Sequence, residues 1–289
     1  MPDTAVPARL SPSRLIALLR EPPPTVPVLR LFGAIGPRAP LSTRLNLASM
    51  AGAIQRAFSY TRAPAVALAI NSPGGSPVQS ALIARRIRDL AEEKEKKVFA
   101  FVEDVAASGG YWLACAADEI YADASSIVGS IGVVTASFGF HDLIARYGVE
   151  RRVYASGRRK VILDPFSPQR DEDVEKLRNL QREVHGAFKD LVRTRRGDRL
   201  KADDDTLFDG EFWTGTSALG LGLIDGLGHL RPVLREKFGE NVRLRVVSAE
   251  RGWLRRRFGM AGRVPDMAGM VEDTLTALEE RALWARYGL

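Results

Sequence analysis

The run Ala107-Ser108-Gly109-Gly110-Tyr111-Trp112 sets a serine between a small residue and two glycines, with Gly129-Ser130-Ile131-Gly132-Val133 and Lys160 downstream. Serine is a weak nucleophile until a base removes its proton. The usual base is histidine, and the chain offers only His141, His185 and His229. His185 falls within a long amphipathic pattern, and His229 follows Gly228 near another helix start. Neither lies in a motif-like loop. His141 stands beside Asp142, but triads assemble from separated segments, and chain neighbours seldom face one another usefully.

A lysine serves as the base if it is neutral. Its free pKa of about 10.4 must then fall toward roughly 7–8 through burial and nearby charge. Lys160 is the best candidate. It follows Ser156-Gly157-Arg158-Arg159 and opens the apolar stretch Val161-Ile162-Leu163. Acyl transfer also needs donors aimed at a developing oxyanion. Gly74 and Gly75 follow a buried-strand pattern, and glycine lets backbone approach a ligand closely. The amide of Gly109 offers a second donor. Ser130, between Gly129 and Ile131, is either a turn serine or a hydroxyl that orients the lysine amine.

The surrounding pattern is α/β. Strands are expected at 26–35, 65–71, 98–102, 119–122, 131–137 and 151–155, with an edge strand at 244–247. Helices are expected at 45–61, 77–96, 142–147, 217–221 and 230–238, and from the Ser108 turn through Ala117. Residues 171–195 read as a long helix, with Val174, Leu177, Leu180, Val184, Phe188 and Leu191 at helical spacing as core or interface. Strand–turn–helix units repeat, so the strands should be largely parallel and their ends should carry function. Ser72-Pro73-Gly74-Gly75 marks one such sharp turn.

The chain has 289 residues, of which 45% are hydrophobic and 27% charged. That supports a substantial core and argues against disorder. The formal charge is +7 and the pI about 9.7. Arg251, Arg255, Arg256, Arg257 and Arg263 form a late basic cluster without an acidic residue. No zinc-finger, RNP-like or helix-turn-helix pattern accompanies it, so nucleic acid is not the expected partner. The single cysteine, Cys115, cannot form an internal disulfide and reads as a core thiol. Residues 1–25 look like an arm, with a helix start at Ser11-Pro12 and a stop at Pro22-Pro23-Pro24. Its longest apolar run, Leu15 to Leu19, is too short for a signal core, and no segment reads as a spanning helix. The expected location is the cytoplasm or the periphery of a membrane.

Together, Asn71-Ser72-Pro73-Gly74-Gly75, the Ser108 run, the Ser130 run and Gly157-x-x-Lys160 resemble the signal peptide peptidase A family of serine proteases, peptidase family S49. The resemblance covers residues 26–235 or so. It implies an α/β fold of the crotonase/Clp protease-like type with repeated ββα units. It implies a Ser108–Lys160 dyad, with Ser130 orienting the lysine and Gly75 and Gly109 forming the oxyanion hole. Between Gly74 and Gly75 the residues alone do not choose. Family substrates are peptides, including signal peptides left in membranes, with small or apolar side chains beside the cut. The resemblance implies no metal or organic cofactor. It also implies a homo-oligomeric ring or dome, in which serine and lysine can come from neighbouring protomers. Many members carry an N-terminal membrane anchor, none is expected from these residues, and Val128 stands where threonine is frequent.

These readings divide the chain into an arm at 1–25, a peptidase domain at 26–240 and a basic, amphipathic extension at 241–289. Two rivals stand beside a serine endopeptidase. One is a crotonase-type enzyme acting on an acyl-coenzyme A thioester, which would need no serine–lysine pair. The other is a non-catalytic, membrane-peripheral scaffold that uses the arm and the arginine cluster.

Overall fold

The computed structural model describes residues 23–37, 44–157, 159–248, 278 and 280–289. The fold is built outward from strand β2 (Ala65–Ser72), whose apolar run is buried along nearly its whole length. A strand covered on both faces belongs at the centre of a parallel sheet. β1 (Thr25–Phe32) and β3 (Lys97–Ala107) flank it in parallel, with Val28 and Phe99 both opposite Ala67. Parallel neighbours require crossovers. Here they are α1 (Leu47–Phe58) and α2 (Pro77–Glu93). The Asn46 side chain accepts the Ser49 amide to start α1, and Ser76 with Pro77 starts α2.

The remaining strands are β4 (Glu119–Ala122), β5 (Ile127–Gly129), β6 (Phe212–Thr214), β7 (Gly226–Leu227) and β8 (Arg243–Val247). They complete an eight-stranded sheet in the order β6-β5-β3-β2-β1-β8, with β4 on β3 and β7 on β4. Among the described residues only β5 and β6 pair antiparallel. Alternate side chains divide the core. Leu29, Leu31, Leu68, Ile70 and Val98 pack with Ile54, Phe58, Ile83 and Ile87 of α1 and α2. Val26, Val28, Ala67, Phe99 and Phe101 pack with Val233 and Leu234 of a helix on the other face.

β3 pairs with two strands in succession. Residues Phe99–Val102 pair with β4, and Val105–Ala107 pair with β5. Between these stretches its register with β2 shifts, Ile70 facing Val102 and Ser72 facing Ala106. The Asn71 side chain spans the irregularity, donating to the Asp104 carboxylate at 2.5 Å and accepting the Val105 amide at 3.3 Å. Such bulges re-aim a strand, here just before Ser108.

The helices that follow are α3 (Gly109–Ala114), α4 (His141–Arg146), α5 (Asp171–Arg196), α6 (Asp204–Leu207), α7 (Gly215–Gly220) and α8 (Leu230–Phe238). The C-terminal half of α5 is fixed to the body. Phe188 stacks on Trp112 of α3 with ring centroids 4.7 Å apart. Arg195 donates to the carbonyls of Cys115 and Ala117, and buried Arg196 pairs with Asp225 at 2.7 Å. Of the expected helical stripe Phe188 is buried, whereas Leu180 is exposed nearer the N-terminus.

Two expected strands are absent. Residues 131–137 and 151–155 carry β-favouring side chains but have no partner strand among the described residues. β-propensity reflects fit to a neighbouring pleated surface, and without a neighbour it does not make a strand. The segment 134–166 instead exposes Val134, Phe138, Leu143, Tyr147, Val149, Val153, Tyr154 and Phe166. The edge strand is present as β8, and three very short strands (β5, β6 and β7) had not been expected. The proposed arm and the arginine cluster lie outside the described residues, apart from the arm's last residues, 23–25, which lead into β1.

Candidate active site

Ser108 occupies the turn between β3 and α3, with φ +50° and ψ −118°. A side chain rarely adopts that conformation, and strain of this kind concentrates at functional sites. The turn is over-determined by its surroundings. The Ser108 amide donates to the Gly129 carbonyl at 2.8 Å, and its carbonyl accepts the Trp112 amide at 3.0 Å. The side chain is half-buried, and its hydroxyl has no hydrogen-bond partner among the described residues.

The Pro73-Gly74-Gly75 loop crosses directly behind this turn. A Cβ on Gly74 would stand 2.7 Å from the Ala107 carbonyl oxygen and 2.8 Å from the Gly109 nitrogen. No side chain fits there. Ile35 fixes the orientation of the loop: its amide donates to the Gly74 carbonyl and its carbonyl accepts the Ser76 amide, each at 2.8 Å. The Gly75 N–H belongs to the same trans peptide group as the Gly74 carbonyl and points the opposite way, so it faces away from Ile35. A Cβ on Gly109 would lie 3.3 Å from the Gly75 nitrogen. The Gly74 amide is engaged by Ser72 Oγ at 3.2 Å, whereas those of Gly75 and Gly109 have no acceptor among the described residues. Gly109 opens α3, where amides lack an intrahelical partner. Two unengaged donors therefore lie near each other beside Ser108.

Ser130 is brought to the same end of the sheet. Its neighbour Gly129 pairs with Ala107, one residue before Ser108. Ser130 is buried, with φ +52°. Its amide donates to the Glu211 carbonyl at 2.6 Å, and its carbonyl accepts the Gly132 amide at 3.0 Å. The Tyr287 phenol donates to Ser130 Oγ at 3.3 Å, and its ring stands edge-on to Phe212 at 5.2 Å. His185 Nε2 lies 3.1 Å from the Ile131 carbonyl oxygen. A hydroxyl oxygen has two lone pairs, so Ser130 retains acceptor capacity beside Tyr287.

Lys160 is exposed, and its amine has no hydrogen-bond or ion-pair partner among the described residues. It bonds neither Ser108 nor Ser130 within the chain. Arg158 lies outside the described residues. His141 contacts Asp142 at 3.3 Å but does not bond Ser108. His229 contacts Asp123, likewise at 3.3 Å. Cys115 is fully buried, and burial pushes its thiol up to about 12, as expected of a core thiol. No sequence motif marks Glu211, Tyr287 or the contact of His185. The first two hold Ser130 across long chain separations without a local motif.

The fold is a crotonase/Clp protease-like α/β architecture with a serine turn at the end of a central strand. The chain belongs to peptidase family S49, whose family model matches residues 91–241. A Brucella abortus protein named Na(+)/H(+) antiporter NhaA is 54% identical over 97% of this chain and 39% of its own length. The Arabidopsis thaliana protein named serine protease SPPA, chloroplastic, is 33% identical over 71% of this chain and 31% of its own. Protease 4 of Haemophilus influenzae is 34% identical over 62% of this chain and 29% of its own. The chain thus spans well under half the length of each of these relatives. No helix among the described residues is long and apolar enough to cross a membrane.

Proposed function

We propose that the chain is a serine endopeptidase that works through a Ser108–Lys160 dyad completed between copies of the chain. The carrying observation is the strained Ser108 turn beside the unengaged amides of Gly75 and Gly109. Ser108 Oγ attacks the peptide carbonyl while neutral Lys160 accepts its proton. The two amides donate to the oxyanion, a contribution worth roughly 2.7–4 kcal/mol per donor in other acyl-transfer sites. Lys160 then protonates the leaving amine, and water hydrolyses the acyl-enzyme. Ser130 Oγ orients the lysine through its remaining lone pair.

Three observations support assembly as part of the reading. Lys160 is exposed and unpartnered, the segment that carries it exposes a run of large apolar residues, and Leu180 of α5 is exposed too. Large apolar side chains exposed in this number suit a protein partner. Residues 133–139 have no backbone hydrogen bond of their own to another described residue, an arrangement open to pairing with an extended peptide. Remnant signal peptides or other membrane-associated peptides are the proposed substrates, with peripheral contact to a membrane and no metal or organic cofactor. The test is cleavage of an internally quenched peptide with alanine and leucine at the cut. Ser108→Ala and Lys160→Ala should each abolish it with assembly intact, and full activity in either variant refutes the dyad.

A further inference from the structure

We infer that His185 is a positioning residue that holds the Ser130 turn in register with the Ser108 turn, an inference that rests on the proposed dyad. One face of α5 carries His185, Phe188 and Val192, the last two buried in the core. Residues three and four apart share a helix face. Phe188 stacks on Trp112, four residues beyond Ser108 in the helix that Ser108 begins. Arg195, further along α5, binds the Cys115 and Ala117 carbonyls at the far end of that helix. α5 is therefore fixed to the Ser108 helix at two places. Through His185 Nε2 and the Ile131 carbonyl, 3.1 Å apart, the same helix reaches the residue after Ser130.

The Ser130 turn needs such a restraint. Ser130 has φ +52°, which most side chains avoid, and its flanking sequence Gly129-Ser130-Ile131-Gly132 is rich in glycine. The Glu211 carbonyl, just before β6, accepts the Ser130 amide at 2.6 Å, and Ile131 itself is fully buried. His185 supplies the tie to the nucleophile's own helix. The Ile131 carbonyl can only accept, so this contact is a hydrogen bond in the tautomer that carries its proton on Nε2. Burial lowers the imidazole pKa below its ordinary 6.5, with Lys189 adding to the effect and the Ile131 and Phe208 carbonyls opposing it. The neutral ring provides this single donor near pH 7.

The experiment measures fluorophosphonate labelling of Ser108 in the assembled protein, separating the maximal rate from the half-saturating concentration. His185→Leu removes the donor. His185→Gln restores an amide donor at the position of Nε2, and His185→Asn is polar but too short to reach. His185→Leu and His185→Asn should lower the maximal rate about tenfold with half-saturation within about twofold, as loss of one positioning hydrogen bond does. His185→Gln should recover to within about threefold of the parent. A normal rate in His185→Leu, or equal slowing in the Gln and Asn variants, overturns the inference. If His185→Leu fails to fold, the Gln and Asn pair decides. If the parent protein itself is not labelled at Ser108, the dyad reading fails instead. Amide exchange across residues 130–133 then decides for His185: faster exchange in His185→Asn supports the tie, and unchanged exchange overturns it.

Discussion

A Cβ placed on Gly74 would stand 2.9 Å from the Cβ of Ser108, so the glycine loop and the serine turn are moulded against each other. Gly74 also has φ +97°. Gly74→Ala should therefore displace the turn and strain its own backbone together. A misplacement of about 1 Å can cost about 100-fold in rate. The expected result is labelling of Ser108 slowed by about that factor, with a stability loss of about 1–3 kcal/mol in urea titration. Parent-like labelling would show that the loop does not set the serine.

The Arg196–Asp225 pair should govern stability rather than chemistry. Arg196 is almost fully buried and binds both the Asp225 carboxylate and the Gly222 carbonyl. Burial alone would raise the Asp225 pKa, but hydrogen bonds from Arg196 and the Ile120 amide, and the charges of Arg196 and Arg199, hold it below its ordinary 3.8. Asp225→Asn leaves the guanidinium without its full counter-charge and should cost about 3–5 kcal/mol at pH 7. A lowered native pKa gives stability that is present above the unfolded value and is lost as pH falls through the native one. The gap between parent and Asp225→Asn should therefore shrink below about pH 4. A gap that is constant from pH 7 to pH 3 would contradict this account.

Cys115 should be chemically silent in the folded protein. It is fully buried, and its thiol is pushed up to about 12, so thiolate is scarce at neutral pH. Iodoacetamide should modify it only as urea unfolds the chain, along the same transition that far-ultraviolet circular dichroism follows. Rapid modification without denaturant would mean that the α3 region opens locally.

The proposed sharing of the dyad has a genetic-style test. Ser108→Ala and Lys160→Ala proteins, each inactive alone, should regain activity when dissociated together and reassembled. Some sites then combine an intact serine from one variant with an intact lysine from the other. No recovery despite mixed assembly, detected by native mass spectrometry, would place both residues in one chain.

The sequence made the main strands and helices more legible than the small contacts around the candidate site. Ser108 and Gly109 share one turn and Gly75 follows the neighbouring parallel strand, so the sequence places all three at one end of the sheet. The long strands could be read from continuous apolar runs bounded by turn residues, and α5 from its helical spacing. β5, β6 and β7 have only two or three residues each, too few to show a period. The run 131–137 looked like a strand because it is apolar, yet nothing among the described residues pairs with it. The ties of Ser130 to Glu211 and Tyr287, and of Ile131 to His185, join positions far apart in sequence and involve backbone carbonyls or a single hydroxyl. Side-chain identity does not announce such contacts.

The central claim is that Lys160 activates Ser108. Its most direct measurement is the rate of fluorophosphonate labelling, with the modified peptide mapped by mass spectrometry, in the parent and in Lys160→Ala at matched assembly. The account predicts that the label falls on Ser108 in the parent and that its rate drops by at least about 100-fold without the lysine, the scale of general-base catalysis. Equal rates in the two proteins, or a label on another residue, would contradict it.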